Sequence, residues 1–408
     1  MRSPRRRRPF WGTLALAATL AGAACHDLSP LGPLEPGEIR GRFIRFDGSA
    51  VINVPVRIGA QTAVTGRDGS FRITGVDVPY DLVIGQPVAL VYEGVTRNDP
   101  IVMVPGTHFG HSHVAKLNGQ VPAEPDLQAL VFVTGADPSA PLRYVDSRTG
   151  VFEMEVFWDG RADVRYATLH ALRRRGEVIL DLAVRRLRLQ DREEHSVALR
   201  PRDFAPVRSF PVAGSVQMPQ GTQSYTIRMS MSIAGATMML DGRGGSGSVT
   251  SFAFTAPVID GSEFDVDVST VRGGYSGFSY GQITGISPQT GPLALRLYDP
   301  PLLFNPPADA VVDDPSTAFT WGAGEGPGVY AFALDSSRGR TLLYTDQTRL
   351  SVTDLVALTG ALQPGHGYSW SIHKLHAASS VDELLTLENR ATLARSMTTA
   401  RRFVFQSN

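Results

Sequence analysis

A chain of 408 residues, 42% hydrophobic and 19% charged, is too apolar for a disordered polymer and long enough for roughly two to four packed domains. Its 41 glycines and 28 prolines suit short strands and turns better than long helices. The formal charge of zero hides five arginines and no acid in residues 1–24. The remainder has a net charge of −5, which argues against a nucleic-acid partner.

Arg2 and Arg5 to Arg8 precede a short apolar run, Leu14 to Ala24, that ends in small residues at Cys25, the only cysteine. A basic segment, an apolar segment and a small-residue exit are the three parts of a secretory signal peptide. Residues 9–24 are shorter than the ~20 that a spanning helix needs. Plain secretion and an uncleaved anchor are the rival readings. The cysteine at the exit resembles the lipobox of bacterial lipoproteins, with Gly22 where that family usually has leucine. The resemblance implies a signal peptide over 1–24, acylation of Cys25, a lipid bilayer as partner and a place in the bacterial envelope, with the outer membrane expected. With Cys25 acylated, no thiol remains for a disulfide or a metal. Residues 25–36, with three prolines and no period, read as a lipid-anchored tether.

From Gly37 the pattern turns to short strands. Val54, Val56 and Ile58 alternate, and Asp68-Gly69 is a strong hairpin signal that places Phe71 and Ile73 on one face. Gly41, Gly48, Val54-Pro55-Val56, Thr65, Asp68-Gly69, Phe71 and Gly75 resemble the carboxypeptidase regulatory-like domain, a small transthyretin-like β-sandwich. The expected unit is 37–116. The resemblance implies an accessory domain without peptidase activity.

Val145 to Phe152 echoes Val64 to Phe71, with valine, arginine, glycine and phenylalanine in register at an offset of 81 residues. This predicts a second, diverged sandwich over 117–206. Its segment 162–189 reads as strands, because Val178, Leu180, Leu182 and Val184 alternate, as do Leu187 and Leu189; a helix is the rival. Residues 207–300 form a third β-rich unit: Tyr225 to Ile233 alternates, as do Phe252 with Phe254 and Phe264 with Val266 and Val268.

Pro300-Pro301 and Pro306-Pro307 bracket an expected linker. Beyond it, Trp321, Tyr330 to Leu334 and the stretch Leu362-Gln-Pro-Gly-His-Gly-Tyr368-Ser-Trp370 resemble a fibronectin type III domain over 301–408. The resemblance implies a buried Trp321 and a Tyr368 hydroxyl bonded to nearby backbone. Residues 379–395 depart from the family and read as an inserted helix with a Ser380–Glu383 capping box. The fold class is therefore all-β: tandem immunoglobulin-like and transthyretin-like sandwiches with a short helix in the last.

Chemistry-bearing motifs are sparse. Gly277-Phe-Ser279-Tyr-Gly281 matches the nucleophile elbow, but the residues that follow are not helical, as an elbow requires. His108, His111 and His113 are the densest group of candidate metal ligands, without an adjacent carboxylate. Asp265 and Asp267 share a strand face and could hold calcium. Arg173 to Arg175 with Arg185, Arg186 and Arg188 offer a basic face for an anionic surface, or a merely solvated one. No P-loop or dinucleotide fingerprint occurs, and no cofactor is expected. The expected function is a non-catalytic envelope lipoprotein that binds or scaffolds an unidentified protein or glycan. The alternatives are a hydrolase with Ser279 as nucleophile and a purely structural spacer.

Overall fold

Alternation becomes strand almost throughout the computed structural model, which describes residues 35–45, 50–85, 89–104, 113–135, 143–158, 163–176, 178–233, 236–272, 277–337, 339–360, 362–386, 392–397 and 401–406. Strand makes up 63% and helix 5%, so the chain is all-β. Cys25, Gly48, His108 and His111 lie outside the described residues.

The first sandwich contains β1 (Glu38–Arg45), β2 (Pro55–Ile58), β3 (Gln61–Val64), β4 (Ser70–Thr74), β5 (Tyr80–Ile84), β6 (Ala89–Val95) and β7 (Ile101–Val104). The second contains β8 (His113–Gln120), β9 (Gln128–Thr134), β10 (Arg143–Val145), β11 (Val151–Trp158), β12 (Val164–Arg175), β13 (Val178–Gln190), β14 (Glu194–Ala198) and β15 (Phe204–Pro206). The third contains β16 (Ser209–Gln217), β17 (Thr222–Ile233), β18 (Ala236–Gly245), β19 (Val249–Pro257), β20 (Ser262–Arg272), β21 (Phe278–Ile286) and β22 (Leu293–Arg296).

These three sandwiches share one topology. In each, the first strand lies at the centre of a three-stranded sheet, antiparallel to the fourth and parallel to the seventh: β4-β1-β7, β11-β8-β14 and β19-β16-β22. The facing sheet runs third-second-fifth-sixth: β3-β2-β5-β6, β10-β9-β12-β13 with β15 added, and β18-β17-β20-β21. A glycine of the central strand faces a phenylalanine of its antiparallel neighbour every time: Gly41 with Phe71, Gly119 with Phe152, Gly214 with Phe252. A Cβ on these glycines would lie 2.2, 2.1 and 2.7 Å from the ring, so the phenyl group lies across the space that a side chain would fill. The echo between 64–71 and 145–152 is thus structural, since Phe71 and Phe152 hold equivalent places.

Segment 162–189 is the hairpin of β12 and β13, turned at Gly176. Its alternation is interrupted: Val178 and Val184 are exposed while Ile179, Ala183, Leu187 and Leu189 are buried. The cause is a register shift between Arg173 and Arg174, opposite Asp181 and Ile179. The extra residue brings Ile179 and Leu182 to one face, against the third sandwich, while Ala183 points into the second sandwich's own core. β9 is likewise buried on both faces, which explains its continuous apolar run.

The fourth unit contains β23 (Leu303–Asn305), β24 (Ala310–Val312), β25 (Ala318–Trp321), β26 (Val329–Ser336), β27 (Gly339–Thr345), β28 (Arg349–Ser351), α1 (Val352–Thr359), β29 (His366–Leu375), α2 (Val381–Leu384), β30 (Thr392–Met397) and β31 (Arg401–Phe405). A β23-β25-β28 sheet packs over β27-β26-β29-β31 through an aromatic core. Phe319 meets Phe332, Trp370 and Phe403 edge-on at 5.1, 5.2 and 5.3 Å. Trp321 is buried, and the Tyr368 hydroxyl accepts the Gln363 N–H at 2.8 Å.

Two expectations are corrected here. The stretch 300–307 is not a loose linker: Pro300, Pro301 and Pro306 are buried, and β23 lies between them. Residues 379–395 are not one helix. α2 is a single turn, capped by Ser380 accepting from Glu383 N, while the Glu383 carboxylate turns back to Ser379. Thr392–Met397 is instead drawn into β30 by pairing on both sides, with β21 and β29.

That pairing joins the units. β30 links β21 to β29, and β27 pairs parallel with β6, so strands of the third, fourth and first units form one fourteen-stranded sheet. Where β6 meets β27, the first unit's core covers one face of this sheet and the fourth unit's core the other.

Candidate functional site

Ser279 lies in the middle of β21, flanked by β20 and β30, and is 1% exposed. Its hydroxyl donates to the Tyr298 carbonyl at 2.6 Å. Inward positions alternate with outward ones, so Ser279 and Gly281 face the core while Tyr280 and Gln282 face out. No strand-to-helix turn presents the serine, and the elbow reading is corrected on that geometry. His113 sits on β8 with its ring stacked on Trp158 at 5.5 Å and Nδ1 3.5 Å from Asp191 Oδ2. Among the described residues, no group of three or more His, Cys, Asp or Glu side chains is placed to hold a metal ion.

The arginine run divides by role. Arg173 pairs with Asp181 at 2.6 and 2.8 Å and with Glu124 at 2.5 Å. Arg174 donates to the Leu240 carbonyl of the third unit at 3.0 Å and to Gln128 at 2.7 Å. These two hold structure, while Arg185, Arg186 and Arg188 remain exposed.

The side chains that the topology does bring together lie on the open face of the shared sheet. Arg228, Asp267 and Gln282 stand directly opposite one another across β17, β20 and β21. One register pair along, Ser269, Tyr280 and Arg395 are opposite across β20, β21 and β30. Directly opposed residues share a face, about 5 Å apart. The Arg395 guanidinium lies 5.0 Å from the Tyr280 ring centroid, and the Tyr280 hydroxyl donates to Gln282 Oε1 at 3.2 Å. His373 on β29 continues the face, followed by Asp335, Ser369 and Arg402, which border a cleft of about 440 Å³.

Its electrostatics follow from half-burial. Burial pushes the Asp265 carboxyl up, helped by Glu263, and pushes Asp267 up against the pull of Arg228. Burial, reinforced by Asp267, raises Tyr280 to about 12. Burial, then Arg395 and Arg340, lowers His373 to about 4, so the imidazole is neutral at pH 7. A phenol, an amide, guanidinium groups and half-buried carboxyls on a broad surface suit hydrogen-bonded recognition. Of this face, the sequence singled out only Asp265 and Asp267. Alternation through Phe278 to Gln282 could have marked Tyr280 and Gln282; Arg395 was hidden by its assignment to a helix.

No family model matches the chain, and no curated protein matches it. One solved structure, "a putative adhesin from Bacteroides ovatus", is 10% identical over 47% of this chain and 94% of that one, at a TM-score of 0.16, a level that carries no argument.

Proposed function

We propose that this protein is a bacterial envelope lipoprotein, anchored by an acyl chain on Cys25, whose β-sandwiches act as a non-catalytic binding or scaffolding module. The observation that carries the reading is the fourteen-stranded sheet. Strand pairing welds three sandwiches and leaves a wide open face of mixed charge, amide and phenol groups. A single-stranded linker would let the units move apart; a hydrogen-bonded ladder holds their surfaces in one register. The first and fourth sandwiches are taken as carboxypeptidase regulatory-like and fibronectin type III-like, and the outer membrane as the location.

The test uses two readouts. Cys25→Ser should abolish acyl labelling and move the protein from membrane to soluble fractions; unchanged labelling would sink the anchor. Asp267→Arg with Arg395→Glu should eliminate capture of whichever envelope component the wild-type protein retains, while Ser279→Ala leaves capture intact. Retention by the face variant would remove the open sheet face as the contact surface.

A further inference from the structure

The two outer faces of the second sandwich carry opposite charge. On the end of the outer β12–β13 face that the third sandwich leaves uncovered, Tyr166 stands opposite Arg188 and Thr168 opposite Arg186. Both arginines are exposed, and Tyr166 is 75% exposed. Neither Val164 to Leu172 nor Leu182 to Gln190 contains a carboxylate. The sister sheet, β11-β8-β14, presents Glu153, Glu155 and Glu194 outward, all exposed. Two of them have partners on the same sheet: Lys116 pairs with Glu153 at 2.8 Å, and the Asn118 amide donates to Glu194. A basic surface and an acidic surface thus lie back to back, about 10 Å of sheet separation apart.

We infer that the second sandwich docks onto a second copy of this chain, the β12–β13 face of one copy on the β11-β8-β14 face of the next. Charge complementarity selects this occupant and its arrangement. A two-fold contact would set like charges against each other, so the contact is head to tail and open-ended. The uncovered end of β12–β13, about six residues on each of two strands, limits the contact to roughly 200 Å² per copy, well below standard interfaces, so the contact is weak and salt-sensitive.

The test is light scattering of the full chain at increasing concentration. In about 0.01 M salt, where the screening length is ~30 Å, the weight-average mass should rise with concentration. In about 1 M salt, where it is ~3 Å, the mass should stay that of a monomer. Arg186→Glu with Arg188→Glu should abolish the rise, and so should Glu153→Arg with Glu155→Arg. All four positions are exposed, and circular dichroism checks that each variant is folded. Mixed in equal amounts, the two variants again oppose unlike charges, and association should return. A wild-type mass that does not rise overturns the proposal. So does association that survives both reversals, or a mixture that stays monomeric. A monomeric wild type whose β12–β13 face instead retains heparin would assign that face to a foreign polyanion.

Discussion

The joint between the fourth and first units and the joint between the second and third are built from different material. The first is made of backbone. β27 pairs with β6 residue by residue, Leu342 with Leu90 and Tyr344 with Tyr92, and the two tyrosine rings stack at 4.6 Å. α2 adds a latch: Asp382 accepts the Thr96 N–H at 2.8 Å, Leu385 accepts the Ile101 N–H at 2.9 Å, and Val381 and Leu385 enter the first unit's core. The second joint is made of side chains. Leu130, Phe132, Leu172 and Ile179 of the second unit join the third unit's core, with Arg174 on the Leu240 carbonyl. Among the described residues no strand pairing crosses it. The fourth unit is therefore joined to the first, and likewise to the third, by a ladder with a fixed register, while the second and third units meet over a packed apolar patch.

Two truncations of similar cost separate these designs. Trp370→Ala and Phe132→Ala each remove a nearly fully buried ring and should each cost about 3–5 kcal/mol. The damage should spread differently. Trp370 lies on β29, between the strands that carry the ladder, so amide exchange should quicken in β6 as well as in β26. Phe132→Ala should loosen β9 and the third unit's core and leave β6 protected. Equal protection of β6 in both variants would mean that the ladder does not couple the units.

Tyr344→Ala breaks the ladder joint at its stack without touching the fourth unit's core. Loss of half-buried aromatic area and of the ring pair should cost about 2–3 kcal/mol in urea denaturation. Separation of one melting transition into two would show that the stack holds the cooperativity. A change of a few tenths would assign the joint to the backbone pairing alone.

Local pattern reveals faces, and it fails where a partner distant in sequence decides. Alternation marked Val56, Ile58, Phe71 and Ile73, which are buried as expected. The valine-arginine-glycine-phenylalanine echo exposed a repeat: its glycines, Gly69 and Gly150, turn at positive φ, and its phenylalanines, Phe71 and Phe152, lie over Gly41 and Gly119. The third copy escaped notice because its long β17–β18 hairpin changes the spacing. The alternation read from Val178 to Val184 breaks because one bulge puts Val178 and Leu182 on opposite faces of β13. The fourth unit's share of the open face was hidden for a similar reason: Arg395 reaches Tyr280 only because β30 is claimed by β21 and β29.

The joint between the third and fourth units should weaken in acid. His376 is half-buried, its ring 4.3 Å from Tyr298, with Nδ1 2.9 Å from the Pro327 carbonyl and Nε2 3.1 Å from Ser396 Oγ. Burial lowers its pKa to about 4, below the ordinary 6.5. The unfolded chain then binds the proton more readily, so the contribution is full above about pH 6.5 and declines as the pH falls towards about 4. Discounted for solvent screening, the loss is on the order of 1–2 kcal/mol. His376→Gln should flatten that part of the pH–stability curve measured by urea midpoints; an unchanged curve would assign the acid sensitivity elsewhere.

The smallest effect belongs to α1, the helix that alternation could not reveal. Ser351 accepts the Asp354 N–H at 3.0 Å, and Gly360 closes the other end at φ 59°, so both stops are written locally. The helix also touches the ladder joint: Arg57 of the first unit donates to the Leu358 carbonyl at 2.8 Å. Ser351→Ala should cost about 1 kcal/mol, the usual loss of one N-cap. Because β27 and β6 remain paired, that loss should appear as exchange within 352–359 and leave β6 unchanged. Arg57→Ala should do less still, since a half-buried hydrogen bond contributes little net free energy where water can replace it. If either variant instead frees β6, then α1 rather than the ladder holds the first unit in place, and the distinction between a backbone joint and a side-chain joint disappears.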